Sequence, residues 1–388
     1  MAGSERSADL VVIGGGLIGC ALARELARRG ARTVLVERAE LAAEASRAAA
    51  GMVAPQAETE RPGPLLPLAL ASRRLYPDWV ASLEAESGLD VEYREDGILY
   101  VALGAADARV LSARAAWQRR LGLRAVRLDP GDARRLAPVV APRIRLAIHF
   151  PDDHRVNNER LSIAAGIAAR RAGVVVRERT RASAIRARNG RVSAVVTDRG
   201  AIATPVVVNA AGAWAGQVGL PAGVRELPVF PVRGQMLVLR GPPGALALPL
   251  YSRQAYLVPR LDGRVLLGST RERAGFDKRV TMGAASALLG AAAAVAPGLA
   301  GLSVERMYAG LRPGTPDELP ILGAARDLPG LFCAAGLYRS GILLAPATAT
   351  ALADLILDGT TALPLRGLGP GRPQRAPIRP RRRPVPRR

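Results

Sequence analysis

Residues 9–37 read DLVVIGGGLIGCALARELARRGARTVLVE, and this stretch decides the fold. A short apolar run at residues 10–13 is interrupted by three consecutive glycines. The Ala- and Leu-rich segment at residues 18–29 has the apolar spacing of a helix, and a second apolar run follows at residues 33–36. Glu37 ends that run. The order of strand, glycine turn, helix, strand and acid predicts a Rossmann-type βαβ unit.

The glycines have G-x-G-x-x-G spacing at Gly14, Gly16 and Gly19. In such a unit the first glycine permits the tight turn, the second lets the backbone approach a pyrophosphate, and the third lets the helix pack closely on the strand. The first helical turn offers free N–H groups to the phosphates. Glu37 is placed to accept hydrogen bonds from a ribose diol. The pattern predicts dinucleotide binding, and an ordinary βαβ unit with a glycine turn is the alternative.

The composition is dominated by alanine, glycine and arginine. The 388 residues suffice for two domains, and the net charge of +22 is carried almost entirely by arginine, because Lys278 is the only lysine. The Arg- and Pro-rich tail at residues 363–388 has too little apolar surface to fold, so a disordered, passive tail is predicted. It lacks interleaved aromatic residues, which argues against a specific nucleic-acid partner.

No metal site or membrane span is predicted. Cys20 and Cys333 each lie in an apolar stretch typical of a buried thiol, and the only two histidines lack ligand spacing. The uncharged residues 282–302 are mostly Ala and Gly and contain Pro297, which favours an amphipathic helix over a membrane span. No secretory signal is visible, so a cytoplasmic protein is expected.

Apolar periodicity predicts the remaining elements. Helices are expected at residues 66–87, 106–121, 161–172 and 342–357. Strands are expected at residues 91–103 with a turn at Asp96-Gly97, and at 174–176, 182–187, 192–197, 206–214, 235–239, 256–259, 264–268 and 331–335.

Several motifs together resemble the FAD-dependent D-amino-acid oxidase superfamily, and within it most closely the glycine oxidases of the thiamine pathway. The run ASRAAAGM at residues 45–52 is similar to the family's loop after the ribose acid, and NAAGAW at 209–214 resembles its second flavin-side strand. Four further motifs follow in the family's order: PVRGQ at 231–235, YLVPR at 256–260, GLRPGTPD at 310–317 and RSGILLAP at 339–346. The resemblance covers about residues 8–360.

The resemblance implies an α/β fold in which a discontinuous Rossmann-type FAD-binding domain is joined to a second, α+β substrate domain with an antiparallel sheet. The FAD-binding parts are expected at residues 1–85, 149–222 and 309–362, and the substrate parts at 86–148 and 223–308.

The resemblance also implies FAD as the cofactor and a small amino acid as the substrate. A carboxylate calls for a bidentate guanidinium, and Arg312 takes that role by resemblance, with the Tyr256 hydroxyl on the same carboxylate and Arg339 near substrate and flavin. The residues expected to bind FAD are Gly14, Gly16, Leu17, Ile18, Gly19, Glu37, Arg38, Ala45, Ser46, Ala50, Gly51, Met52, Ala182, Leu337, Tyr338, Arg339, Ser340, Gly341, Ile342 and Leu343.

The implied reaction is oxidation of glycine or a similar small amino acid to the imine, with O₂ reduced to H₂O₂, in the route to the thiazole of thiamine. Within the same fold, a D-amino-acid or sarcosine dehydrogenase that passes electrons to a quinone or carrier is the alternative. A nicotinamide-dependent dehydrogenase would share only the first βαβ unit, and a non-catalytic flavin-binding protein is a third hypothesis. The resemblance also allows a homo-oligomer.

Three positions depart from the family's pattern. Many members carry His and Asn around the arginine of the last motif, where this chain has Leu337 and Ser340. Gln254 stands where a His often precedes the tyrosine. These changes alter the polarity of the expected pocket, so sarcosine or a small D-amino acid would fit the same arginine clamp as glycine.

Overall fold

A computed structural model describes residues 7–373 of the chain. Its helices are α1 (Leu17–Arg28), α2 (Pro55–Glu58), α3 (Leu65–Ser87), α4 (Ala105–Arg120), α5 (Pro130–Leu136), α6 (Asn158–Arg171), α7 (Met282–Val295) and α8 (Gly341–Leu357). Its strands are β1 (Leu10–Ile13), β2 (Thr33–Val36), β3 (Met52–Val53), β4 (Ile98–Ala102), β5 (Val126–Leu128), β6 (Leu146–Phe150), β7 (His154–Arg155), β8 (Val175–Arg177), β9 (Ala182–Arg188), β10 (Arg191–Thr197), β11 (Gly200–Ala203), β12 (Val206–Asn209), β13 (Phe230–Arg240), β14 (Leu250–Tyr251), β15 (Tyr256–Pro259), β16 (Arg264–Gly268), β17 (Ser303–Gly314), β18 (Ile321–Ala324) and β19 (Leu331–Ala335).

The first layer is a six-stranded sheet in the order β18-β19-β12-β1-β2-β8. All its pairs are parallel except β18 with β19. Helices α1, α3, α6 and α8 pack together on one face over a large apolar core. The antiparallel sheet β9–β11 covers the other face, where Val11 and Val34 meet Ile185 and Val195. The βαβ unit predicted from residues 9–37 therefore forms the centre of this sheet.

The second layer is an eight-stranded sheet in the order β17-β13-β16-β15-β14-β4-β6-β5. It is antiparallel except for the parallel pair of β14 with β4. Because side chains alternate along a strand, Leu237 and Leu239 of β13 pack with α5 and α7, while Met236 and Val238 face the opposite side with α4. That opposite side also meets residues 50–57, which include β3 and the start of α2, and this contact closes the gap between the two layers.

Two glycines of the turn are required by close packing. Gly14 has φ +107°, and a Cβ on it would lie 2.4 Å from the Ala210 carbonyl oxygen. A Cβ on Gly19 would lie 1.9 Å from the carbonyl oxygen of Gly14. Any side chain at either position would push α1 or β12 away from the turn.

Helix α8 contains Pro346, which has no N–H for the Ile342 carbonyl four residues earlier. The hydroxyl of Tyr76 on α3 donates to that carbonyl at 2.5 Å. One turn earlier on α3, the Ser72 hydroxyl donates to the Leu343 carbonyl at 2.6 Å and accepts from Ala347 N–H. Two side chains of α3 thus satisfy the interrupted first turn of α8 and fix where that helix begins.

Within residues 7–373, none of the helices is both long enough and apolar enough to cross a membrane. The expected helix at residues 282–302 is α7, which ends before Pro297. The strand expectation for residues 91–103 was wrong in its first half, because only Ile98–Ala102 forms a strand. The expected boundaries at residues 148 and 308 fall inside β6 and β17, respectively.

The prediction of a disordered tail over residues 363–388 was wrong for its first part, while residues 374–388 lie outside the described range. Leu368 is fully buried in the core, and its carbonyl accepts from Leu322 N–H at 2.8 Å. Arg372 and Asp317 form a buried ion pair at 2.8 Å. Burial opposes the charge of Asp317, but the Arg372 guanidinium outweighs it and holds the pKa of Asp317 below its usual value. The composition was misleading because Leu363, Leu365 and Leu368 contact the core and Arg372 adds the ion pair, so few residues dock the segment.

Truncation after Asp358 removes Leu368 and leaves the Asp317 carboxylate buried without Arg372. An unpaired buried charge costs about 3–5 kcal/mol, so we expect the thermal unfolding midpoint to fall by several degrees. Arg372→Ala alone should give most of that loss. Exposed Arg366→Ala is the matched control and should melt like the unmodified chain. Equal midpoints for Arg372→Ala and Arg366→Ala would show that the segment does not stabilise the body.

Candidate active site

A cavity of about 610 Å³ lies between the glycine turn of the first layer and the inner face of the eight-stranded sheet. Elements far apart in sequence supply its walls: the N-terminus of α1, loop residues 45–52, strands β13, β16 and β17, and the N-terminus of α8. Of the residues expected at the site, those that line the cavity are Gly16, Leu17, Ile18, Ala45, Ser46, Ala50, Gly51, Met52, Tyr256, Arg312, Leu337, Tyr338, Arg339, Gly341 and Ile342.

At one end of the cavity, α1 begins at Leu17 with Gly16 as a cap that offers no side chain. The Ser46 hydroxyl accepts from Leu17 N–H at 3.0 Å, so loop residues 45–52 are held against the helix N-terminus. The Asn158 amide donates to the carbonyls of Ser46 and Arg47 at 2.8 and 2.9 Å. This end therefore combines a helix dipole, exposed backbone N–H groups and a fixed loop, which together suit a diphosphate.

Glu37 lies beside this end without lining the cavity. One carboxylate oxygen accepts from Gly15 N–H at 2.7 Å and the other from Ala39 N–H at 2.9 Å. The carboxylate thus ties the glycine turn to the end of β2. Its remaining lone pairs are available to a hydroxyl donor.

Other expected cofactor residues also lie outside the lining. Gly14 and Gly19 are packed inside the turn. The Arg38 guanidinium stacks 3.4 Å over the Trp214 ring and pairs with Glu44. Ala182 begins β9 in the three-stranded sheet. Ser340 precedes α8, and Leu343 points into the core. These residues surround the site or support it.

At the other end of the cavity, Arg312 projects from β17. Its guanidinium donates to the Thr270 carbonyl at 3.1 Å and to the Ser269 hydroxyl at 2.5 Å. The guanidinium crosses Gly234 on the neighbouring strand so closely that a Cβ there would lie 2.2 Å from Nη1. Neutral oxygens fix the direction of Arg312, and no described residue forms an ion pair with it. Such an arginine favours a carboxylate ligand.

Tyr256 and Tyr251 form an aromatic wall beside Arg312. The Tyr256 ring lies over Gly268, and its hydroxyl is 3.7 Å from the Met236 sulfur. The Tyr251 ring centroid is 5.8 Å from that of Tyr256 and 4.9 Å from that of Tyr100. Burial raises the pKa of Tyr251, so its hydroxyl stays protonated at neutral pH. The wall limits the width of the cavity next to the guanidinium.

Glu58 lines the same cavity and was not singled out from the sequence. Burial raises its pKa, and the charges of Arg339, Arg271, Arg312 and Arg114 act in the opposite direction. Arg339 in turn has a raised pKa, because the Glu58 carboxylate outweighs the effect of burial, and it donates to the Glu58 carbonyl at 3.4 Å. One acid thus faces four guanidiniums.

The short helix α2 brings Glu58 to the cavity. The buried Asp153 carboxylate accepts from Gln56 N–H at 3.1 Å and Ala57 N–H at 2.7 Å, and burial raises the pKa of Asp153 to about 7. From the other side, Arg114 on α4 donates to the Ala57 carbonyl at 2.5 Å. Pro55 at the first helical position was the available sequence signal for this helix.

Within residues 7–373, no group of three or more His, Cys, Asp or Glu side chains is arranged to hold a metal ion. Cys20 and Cys333 are both buried free thiols, and burial raises the pKa of each to about 12.

Comparison with known proteins supplies the family. Residues 9–355 match the family of FAD dependent oxidoreductases. The chain is 40% identical to the bifunctional protein ThiO/ThiG of a Synechocystis strain. The match covers 95% of this chain and 54% of that longer protein. It is 36% identical to the glycine oxidase of Geobacillus kaustophilus, with 92% of this chain and 95% of that protein covered.

A solved structure agrees with these sequence matches. The crystal structure of glycine oxidase from Geobacillus kaustophilus superposes with a TM-score of 0.91 at 35% identity, covering 95% of this chain and 99% of that one. The residues present fit FAD: the α1 N-terminus, where Gly16 has no side chain, and the Ser46 hydroxyl suit its diphosphate, and a Cβ at Gly16 would approach that hydroxyl to 3.3 Å. The cavity extends from there to Arg312.

Glu37→Ala tests the ribose assignment. The change removes acceptors for two hydroxyls, and each hydrogen bond to a charged group contributes about 1.5–3 kcal/mol. We therefore expect the FAD dissociation constant to rise at least tenfold in a titration of apoprotein followed by flavin fluorescence. Glu40→Ala, which removes an exposed partner of Arg179, is the control and should leave FAD affinity unchanged. An unaltered constant in Glu37→Ala would reject the assignment.

Proposed function

This chain belongs to the family of FAD-dependent oxidoreductases, and we propose that it oxidises glycine, or a similarly small amino acid, to the imine. In this reaction the Cα–H bond breaks, the amine loses a proton, and a C=N bond forms. We propose O₂ as the acceptor, which becomes H₂O₂ on taking up two electrons and two protons. The imine would feed formation of the thiazole of thiamine.

The observation that carries the proposal is the position of Arg312 within the cavity. Its guanidinium lies across Gly234 and is aimed by two neutral oxygens, in the same cavity that the α1 N-terminus and loop residues 45–52 enter from the other layer. A carboxylate bound to that guanidinium would lie in the same cavity as the α1 N-terminus, where the dinucleotide is expected. The arrangement therefore supports a small substrate held by its carboxylate.

The chain's own residues orient this substrate. Arg312 presents a planar fork that matches a carboxylate and fixes its rotation. The Tyr256 hydroxyl is the second donor for the same carboxylate, and Arg339 lies near the amine with its backbone carbonyl available to accept from it. The tyrosine wall and Met236 exclude water from the reacting carbon. Proximity and orientation of this kind supply much of the rate in such reactions.

The α1 N-terminus and loop residues 45–52 would hold FAD, and the bound cofactor would supply the redox chemistry as acceptor of the hydride from Cα. Helix α8 begins at Gly341 in the cavity wall, so the positive end of its dipole would stabilise negative charge that develops on the reduced ring. The bonds from Ser72 and Tyr76 hold that helix end in place. A cytoplasmic location and a homo-oligomeric state remain predictions.

The proposal is tested with purified holoprotein under anaerobic conditions. Glycine, sarcosine and small D-amino acids are added in turn while the flavin absorbance is followed, and oxygen is then admitted. We expect glycine or one of its small relatives to bleach the flavin, and oxygen to restore the colour with formation of H₂O₂. Bleaching without rapid reoxidation would identify a dehydrogenase with another acceptor. No bleaching by any of these compounds would reject amino-acid oxidation.

Arg312→Ala should weaken the apparent affinity for the amino acid by a factor of roughly thirty or more, because loss of a buried charge partner costs about 2–5 kcal/mol. Arg312→Lys keeps the charge but loses the planar fork, so it should rescue affinity only in part. FAD binding should survive in both variants. The measurement is stopped-flow reduction of the flavin against substrate concentration, and wild-type behaviour of Arg312→Ala would place the carboxylate elsewhere.

Gly234→Ala provides a second variant that leaves Arg312 in the chain. The added Cβ would meet the guanidinium at 2.2 Å, so the guanidinium must move, and the apparent affinity should fall while the flavin stays bound. Gly283→Ala on α7 is the matched control, since a Cβ there meets nothing within 4 Å. Equal substrate affinity in Gly234→Ala and Gly283→Ala would contradict the position of the Arg312 guanidinium over Gly234.

A further inference from the structure

The cavity lining carries more positive charge than a single carboxylate substrate requires. Within the described residues, the charged side chains that line it are five arginines and three acids: Arg114, Arg253, Arg271, Arg312, Arg339, Glu58, Glu60 and Asp107. The excess of two positive charges lies in one shared space, where uncompensated guanidiniums repel each other. A ligand that brings two negative charges would relieve that repulsion.

Three of the arginines have acidic partners. Arg253 pairs with Asp107 at 2.9 Å, Arg114 has Glu60 at 3.9 Å, and Arg339 interacts with Glu58. Arg312 and Arg271 also interact with the charge of Glu58, but neither has an ion-pair partner among the described residues. Arg312 is bound only by neutral oxygens. For Arg271, the described part of the chain supplies neither a hydrogen bond nor an ion pair.

The backbone around Arg271 is held in a strand-like register against β13. Arg233 and Glu272 exchange two backbone hydrogen bonds, and Thr270 N–H donates to the Gln235 carbonyl. On one face, the Glu272 carboxylate binds the side chains of Arg233, Gln235 and Thr270. The segment is therefore fixed from both sides of Arg271.

Alternation along the segment puts Arg271 on the opposite face from Thr270 and Glu272, together with Ser269. Ser269 is the residue whose hydroxyl accepts from Arg312. The antiparallel register also puts Arg271 opposite Gly234, over which the Arg312 guanidinium lies. Opposed residues of an antiparallel pair are close neighbours. Arg271 is thus the immediate neighbour of the carboxylate clamp, at the more exposed rim of the cavity.

We propose that Arg271 forms a second anion subsite and that the preferred substrate is an amino acid with a second carboxylate, joined to the first through a short linker. This inference rests on the proposed function, in which Arg312 binds the first carboxylate of the substrate. The FAD diphosphate does not account for the two charges, because its expected place is the α1 N-terminus in the other layer. Arg271 and Arg312 both belong to the eight-stranded sheet.

The binding test uses ligands that have no amine and so are not oxidised. FAD-loaded wild-type protein is titrated with acetate, malonate and succinate, and binding is followed by flavin absorbance and by calorimetry. We expect at least one of the dicarboxylates to bind tenfold or more tightly than acetate. In Arg271→Gln the ratio of dicarboxylate to acetate affinity should fall below about three, because only the first carboxylate keeps a charged partner.

Arg273→Gln is the matched control. Arg273 lies two residues further along, packs over the Phe230 ring at 4.5 Å and does not line the cavity. Arg273→Gln should keep the wild-type ratio of dicarboxylate to acetate affinity. Equal binding of acetate and both dicarboxylates in the wild type would overturn the second subsite. A dicarboxylate advantage that persists in Arg271→Gln would overturn the assignment to this residue.

A reactive pair of ligands separates this inference from the proposed function. Glycine and its N-carboxymethyl derivative are compared by anaerobic reduction of the flavin, and the derivative should reach half-maximal reduction at a concentration at least tenfold lower. If neither compound reduces the flavin while dicarboxylates still bind through Arg271, the oxidase proposal fails and the anion subsite stands. If both compounds reduce it at equal concentrations, the subsite does not serve the substrate.

Discussion

The buried pair of Arg260 and Asn158 is the contact on which the site depends. Arg260 follows β15 in the eight-stranded sheet, and Asn158 begins α6 in the other layer. The Arg260 guanidinium donates to the Asn158 side-chain oxygen at 2.7 Å and to the Ala50 carbonyl at 3.0 Å, while the Asn158 amide holds the carbonyls of Ser46 and Arg47. Burial lowers the pKa of Arg260 to about 10, which still leaves it charged at neutral pH. Both layers are thereby fixed to loop residues 45–52, which line the cavity between them.

The two layers joined by that loop present different groups to the cavity. The parallel layer presents a helix N-terminus and a carboxylate-anchored glycine turn, which suit a dinucleotide. The eight-stranded layer presents Arg312 and the tyrosine wall, which suit a small carboxylate. Glu58 lies where the two meet, and the preceding residue, Ala57, is bound by Asp153 from one side and by Arg114 from the other. The electrostatic environment of the cavity therefore depends on Glu58 and a few of the chain's many arginines, which the fold holds in place.

The sequence predicted the local pattern well and the long-range contacts poorly. The glycine turn, strands β15, β16 and β19 and most helices follow from apolar periodicity and turn residues, which are local signals. Motif resemblance brought Arg312, Tyr256 and Arg339 to one cavity. Glu58 and Arg271 were missed, because their importance arises only when α2 and the segment after β16 meet across the fold. Residues 363–373 were mistaken for a disordered tail, because three irregularly spaced leucines and one ion pair leave no periodic pattern.

The proposed reaction requires that one carboxylate-binding arginine, Arg312, faces the cofactor across this cavity. The most direct measurement is a crystal structure of the FAD-loaded protein with glycolate, an unreactive analogue that keeps the carboxylate of glycine. We expect the carboxylate within hydrogen-bond distance of the Arg312 guanidinium and the α-carbon over the flavin ring. Glycolate bound at another arginine, or FAD bound away from the α1 N-terminus, would contradict it.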